Sequence, residues 1–172
     1  MTTMTVLRAP GAAGVAQIRE LLRTAAQLRA GAGSRDAPVR IWALIGELDL
    51  PEDGQDAGRS ENERVVEHDL VGRLVVRLAI DKTLCVGDSR SVRALYQGAI
   101  MEGSWGDEVR LVPDAAQALT VTVDDEQWRP AAGDIVVVAG PDDLHAVVGQ
   151  WQTVLGYELV WAGDDAAGAG DE

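Results

Sequence analysis

A chain of 172 residues, 47 % of them hydrophobic, is long enough to bury one real core and suits a single soluble domain. A formal net charge of −13, with no dense Lys/Arg stripe, argues against a protein that tracks nucleic-acid phosphates. No apolar run approaches the ~18 residues of a conventional spanning helix, and the single cysteine, Cys85, excludes an internal disulfide and a cysteine metal cluster.

The opening "MTTMTVLRAPGAAG" lacks a basic start followed by a long apolar stretch, so a cytoplasmic protein with no membrane partner is expected. Charge is uneven along the chain. Residues 1–45 hold six arginines against two acids, leaving −17 for the remainder. The arginines fall mostly at helix-surface spacing and read as a solvated face.

In chain order, "TMTVLR" at about 3–8 predicts a short strand ending near Pro10-Gly11. A helix follows over about 12–29, with Val15, Ile18, Leu22 and Ala25 or Ala26 on one side and Gln17, Arg19, Glu20, Arg23 and Gln27 on the other. "AGAGSRDAP" is a loop. "VRIWALIG" is nearly all apolar, as a strand covered on both faces would be. Residues 51–60 read as a mobile surface loop, with Ser60 and Glu63 spaced for a capping box. The next helix runs to about 78 and is expected to bury a stripe of Val66, Leu70, Leu74 and Leu78, joined by Val71 and Val75.

"KTLCVG" is a strand in which Cys85 is a small buried hydrophobe. Ser89 can cap a helix over about 90–102, and that reading of Gly87-Asp88-Ser89-Arg90 is preferred to an anion site. "EVRLV" is a strand, Pro113-Asp114 opens a short helix, and "GDIVVVAG" has strong β-propensity. Pro141 and two acids start a further helix, and "YELVWAG" is a last strand. The closing acidic residues, 162–172, are expected to be disordered, leaving residues 1–161 as one domain. Strands alternating with helices imply an α/β fold in three layers, Rossmann-like, with a mostly parallel sheet and helices on both faces.

The order "RIWALIGELDL…ENERVVEHDLVGRLVVRLAIDKTLCVGD…DIVVVAG" resembles the C-terminal domain of the Mur ligases, in particular the D-alanyl-D-alanine-adding subgroup of peptidoglycan synthesis. That family has a strand ending in Gly-Asp/Glu-Met-x-Glu-Leu-Gly, a helix with His-x-x-Val-Gly, then Gly-Ile-Asp and strands ending in Val-Gly and Val-Lys-Gly-Ser-Arg. Here Gly46, Glu47, Asp49 and Leu50 stand at the first motif, with Leu48 for methionine and Pro51 for the last glycine. His68, Val71 and Gly72 match the second, and Ala79, Ile80 and Asp81 nearly match the third. Gly87 and Gly140 end the later strands. The similarity covers roughly residues 3–150.

The departures concern nucleotide chemistry. Where the family has an Asn-Ala-Asn-Pro stretch that helps hold nucleotide, this chain reads "LRAPGAAG", keeping only Pro10. Lys-Gly-Ser-Arg becomes Ala139-Gly140-Pro141-Asp142. No G-x-x-x-x-G-K-[ST] loop occurs in the 172 residues, nor a G-x-G-x-x-G after the first strand.

In the family this strand rim receives the incoming amino acid or dipeptide. Glu47 and Asp49, two apart, share a face of an extended strand and could hold a ligand amine or a divalent ion there, the amine being what the resemblance implies. The plainer reading is a solvated strand end. His68 lies at the margin of an apolar stripe and is expected to be half exposed. Glu47, Asp49 and His68 are therefore the candidate ligand-binding residues, and no catalytic residue, metal set or cofactor is assigned.

Two functions follow. One is a stand-alone, non-catalytic module binding a small amino compound, amino acid or dipeptide, or a protein partner in cell-wall synthesis. The opening "MTTMTV" and the acidic end favour that reading of a complete short protein. The other is an acceptor-binding subunit or fragment of an ATP-dependent amide ligase. Trp151 and Trp161, if exposed together, would mark a partner surface.

Overall fold

A computed structural model of the chain describes residues 3–10, 14–32, 39–48 and 60–162. Ala162, expected to begin a disordered tail, instead ends the last strand; the remaining tail residues and 51–59 lie outside the described residues. In order come β1 (Thr3–Pro10), α1 (Val15–Ala32), β2 (Ile41–Ile45), α2 (Glu61–Arg77), β3 (Lys82–Val86) and α3 (Arg90–Met101). They are followed by β4 (Val109–Val112), α4 (Ala115–Asp124), β5 (Ile135–Gly140), α5 (Asp142–Val154) and β6 (Glu158–Ala162). The strands form one six-stranded sheet in the order β4-β3-β2-β5-β1-β6. Every pair is parallel. β1 is thus interior, between β5 and β6, and not an edge.

Alternation along the strands builds two cores. Ile41, Ala43 and Ile45 of β2 face α1, α2 and α3, meeting Ile18, Leu22, Val71, Val75 and Leu95. Trp42 and Leu44 face the other way, toward Val121 of α4 and Leu144, Val148 and Trp151 of α5. The helix after β2 therefore covers one face and the helix after β5 covers the other. β2 and β5 are neighbours, so a crevice opens between their C-terminal ends, the usual ligand position in an open parallel sheet.

α2 buries only part of the predicted stripe: Val71 and Val75 are in the core, and Leu74 and Leu78 pack partly buried against it. Val66 and Leu70 are 58 % and 47 % exposed. His68 and Gly72 point inward beside Val71 and Val75. The reason is contact with α3. A Cβ added to Gly72 would lie 2.0 Å from the Leu95 carbonyl oxygen, and one added to Gly98 would lie 2.3 Å from that of Asp69. Two glycines let the helix backbones touch, and this contact fixes how α2 is rotated.

The nearly matched third motif also has a local cause. Ala79 adopts φ +56, a left-handed conformation. Its N–H donates to the Val76 carbonyl and that of Ile80 to the Val75 carbonyl, both at 3.0 Å. This is a Schellman end to α2, in which glycine is favoured at the Ala79 position. Asp81 then accepts the Ile41 N–H at 2.7 Å and pairs with Arg29 at 3.0 Å, tying the α2–β3 turn to the start of β2.

Trp42, Trp128 and Trp151 serve the core, whereas Trp105 is exposed. Trp42 meets Trp128 edge-on with centroids 6.2 Å apart. Trp151 is fully buried and donates from Nε1 to Thr122 Oγ1 at 2.9 Å. Trp161 lies partly buried on β6, with the Arg8 guanidinium over its ring. The exposed Trp151–Trp161 pair considered from the sequence is therefore not formed. Cys85 is buried as expected, and burial pushes its thiol far above the usual range.

Candidate functional site

The exits of β2 and β5 press against each other. Gly46 continues the ladder by donating to the Ala139 carbonyl at 2.8 Å. A Cβ on Gly140, where φ is +140, would come within 3.0 Å of Gly46 Cα, and one on Gly46 within 2.9 Å of Pro141 Cδ. Only glycine permits this approach together with that backbone conformation. Glu47 leaves the sheet immediately afterwards, at the mouth of the crevice.

Two residues of α2 reach this exit. Arg64 Nη1 stands 3.9 Å from Glu47 Oε1, with the two side chains 23 % and 27 % exposed. At that separation and exposure the pair contributes less than about 1 kcal/mol. Glu47 is thus paired only weakly. His68, four residues on, donates from Nδ1 to the Arg64 carbonyl at 2.6 Å and accepts the Leu48 N–H on Nε2 at 2.9 Å. It is 1 % exposed, so the expectation of a half-exposed histidine is corrected. Inward rotation of α2 has carried it under the rim, and backbone groups engage both ring nitrogens.

A cavity of about 170 Å³ opens beside Glu47 and draws on four strand ends. Asp88 follows β3, Asp114 follows β4, and Asp143 follows β5, each facing the same cavity as Glu47. No lysine, arginine or histidine is among its described lining residues. The helix starts around it are largely satisfied internally. Ser89 Oγ accepts the Val92 N–H at 3.2 Å, and Asp114 accepts the Gln117 N–H at 2.8 Å. An anion would meet two capped helix starts and a negative field, to which Asp143 in the first turn of α5 adds, whereas an ammonium group would meet carboxylates. Asp88, Asp114 and Asp143 are also ordinary acids at helix starts. Glu47 has no such role, and it is the carboxylate that distinguishes the site.

Of the three residues expected at the site, Glu47 lies on the cavity wall and His68 lies buried behind it. Asp49 falls outside the described residues. The sequence reading missed Asp88, Asp114 and Asp143. The signal is present, since each stands within three residues of a strand end, but the same positions also read as ordinary helix starts. Among the described residues no group of three His, Cys, Asp or Glu is arranged to hold a metal ion. His145, just inside α5, donates from Nε2 toward the Gly140 carbonyl at 3.1 Å and so buttresses the β5 exit. No described helix is long and apolar enough to cross a membrane.

Comparison with known proteins agrees with this architecture. No family model matches the sequence. The chain is 42 % identical over 99 residues to the UDP-N-acetylmuramoyl-tripeptide–D-alanyl-D-alanine ligase of Mycobacterium leprae (strain TN), covering 58 % of this chain and 17 % of that enzyme. It is 36 % identical over 112 residues to the enzymes of the same name from Mycobacterium bovis and Mycobacterium tuberculosis H37Rv, covering 60 % of this chain and 20 % of each. The chain is homologous to the C-terminal part of Mur ligases. It spans about a fifth of the length of these curated relatives. The crystal structure of a murein peptide ligase from Psychrobacter arcticus 273-4 shares the Mur-ligase fold with it. The TM-score is 0.53 at 16 % identity, over 86 % of this chain and 26 % of that one. The Mur-ligase resemblance of the motifs thus extends to the fold.

Proposed function

We propose that this Mur-ligase homologue binds a small amino compound, an amino acid or a dipeptide such as D-alanyl-D-alanine, through its ammonium group. The proposed site is the acidic rim at the ends of β2 to β5, and the role belongs to peptidoglycan metabolism. Glu47 makes the direct contact, and Asp88, Asp114 and Asp143 supply the surrounding negative field. The supporting observation is the cavity onto which four strand ends each deliver a carboxylate, with Glu47 held only at 3.9 Å by Arg64. Its volume of about 170 Å³ suits a compact ligand, since pockets for larger molecules run to roughly 300–1,000 Å³.

Amide ligation through an acyl phosphate also needs a phosphate cradle and cations to offset developing charge. The 172 residues contain no G-x-x-x-x-G-K-[ST] loop, and the rim is acidic. In this proposal they do not carry out ligation by themselves. The share of the relatives that is matched, 17 % to 20 %, equally supports an acceptor-binding part of an ATP-dependent ligase whose nucleotide chemistry lies in other residues. The binding step is the same in both cases.

The test is titration of the chain with D-alanyl-D-alanine and with its N-acetylated form, followed by backbone amide NMR. The free dipeptide is expected to move Glu47, Gly87 and Asp114 resonances, and acetylation to weaken binding at least roughly tenfold. Glu47→Gln should weaken it by about three- to tenfold. Because Asp88, Asp114 and Asp143 are exposed, affinity should fall as salt rises. Equal binding of the acetylated dipeptide would overturn the amine assignment. ATP turnover by the purified chain with a dipeptide would overturn the non-catalytic half.

A further inference from the structure

We infer that His68 is a positioning residue for the amine site: it fixes the segment that aims Glu47 and does not touch the ligand. The inference rests on the binding function proposed above and adds to it a mechanism for holding the rim.

The geometry gives each ring nitrogen one role. The Arg64 carbonyl can only accept a hydrogen bond, so Nδ1, at 2.6 Å, carries the proton. The Leu48 N–H can only donate, so Nε2, at 2.9 Å, presents its lone pair. The carbonyl of the same helix one turn back therefore selects the tautomer, and the tautomer creates the acceptor for the Leu48 amide just beyond β2. An imidazolium, or the opposite tautomer, would turn a donor toward a donor.

The consequence falls on Glu47. On its N-terminal side the Gly46 amide is held by Ala139 of β5. On its C-terminal side the ladder has stopped, and Leu48, 1 % exposed, buries its amide against His68. Glu47 is thus flanked by two anchored amides, one held by the sheet and one by an imidazole. Without His68 the second anchor is gone. The weak Arg64 contact at 3.9 Å is then the remaining tie from α2 to Glu47 among the described interactions.

Three measurements on the whole chain test this. Ring ¹⁵N NMR of the ligand-free wild type should report a neutral His68 protonated at Nδ1, and a protonated Nε2 would overturn the inference. His68→Gln keeps an acceptor oxygen near the Nε2 position, whereas His68→Leu keeps bulk without an acceptor. Without ligand, His68→Leu should shift and broaden the Leu48 amide and Glu47 side-chain resonances while His68→Gln leaves them near wild type. With D-alanyl-D-alanine, His68→Leu should lose about tenfold in affinity and His68→Gln no more than about threefold. A folded His68→Leu variant with wild-type Glu47 resonances and affinity would overturn the inference, as would a folded His68→Gln variant as impaired as His68→Leu. Should His68→Leu not fold, the wild-type tautomer and His68→Gln decide. If the dipeptide binds no form of the protein, the proposed function fails, while the ligand-free spectra still judge the His68 anchor.

Discussion

Gly72 of α2 stands so close to Leu95 of α3 that a Cβ added to it would lie 2.0 Å from the Leu95 carbonyl oxygen. In an open helix, Gly→Ala gains up to about 1 kcal/mol from propensity. Here the obstacle is backbone, which cannot rotate away, and overpacking of this kind costs about 1–3 kcal/mol or more. Gly72→Ala is expected to be net destabilising, as measured by urea denaturation. It should also disturb the His68 ring, one turn away on the same inward face.

Ala79→Gly should act in the opposite sense. Ala79 closes α2 at φ +56, a conformation that disfavours an L-residue by roughly 1–2 kcal/mol and glycine hardly at all. Glycine also loses more freedom on folding, by about 0.5–1 kcal/mol. The expected balance is a gain of up to about 1 kcal/mol, read as a higher denaturation midpoint with an unchanged slope.

Asp134 is a buried anchor at the other end of the sheet. It is 2 % exposed and accepts from Trp42 Nε1 at 2.7 Å, from the Ala131 N–H at 2.8 Å and from Arg40 at 3.3 Å. Asp134→Ala would leave an indole N–H without its acceptor in the core and remove the partner of a part-buried guanidinium. A loss of about 3 kcal/mol is expected. Trp42 fluorescence should report the change.

Glu102 sets an acid limit on the α2–α3 pair. Hydrogen bonding from Arg77 and its charge, helped by Arg73, hold the Glu102 carboxyl below its ordinary value against the opposing effect of desolvation. The folded pKa is therefore below the unfolded one, near 4.3. The stabilisation is full above that value and is lost as pH falls through the folded pKa. Glu102→Gln should flatten the fall in stability below about pH 5. High salt should reduce the same difference, because Arg77, 65 % exposed, leaves the pair open to screening.

The sequence by itself determined the alternation of strands and helices, hence a parallel α/β sheet covered on both faces. Apolar runs such as "RIWALIG" and "DIVVVAG", punctuated by Gly46 and Gly140, are strong local signals. It also placed Glu47 at a strand exit and Ser60 and Ser89 at helix starts, because caps and strand ends depend on neighbours in the chain. Ser60 accepts the Glu63 N–H as that spacing implied.

Only the tertiary structure decided which side of α2 is buried. Apolar residues lie around much of that helix, so periodicity favoured Val66 and Leu70. The touching backbones at Gly72 and Gly98 instead turned His68 inward. The strand order was equally beyond local reading, since β1 lies between β5 and β6, whose pairing depends on residues more than a hundred positions away. The cavity has the same origin. Glu47, Asp88, Asp114 and Asp143 are far apart in sequence, and they share one wall only because parallel strands end on the same side of a sheet.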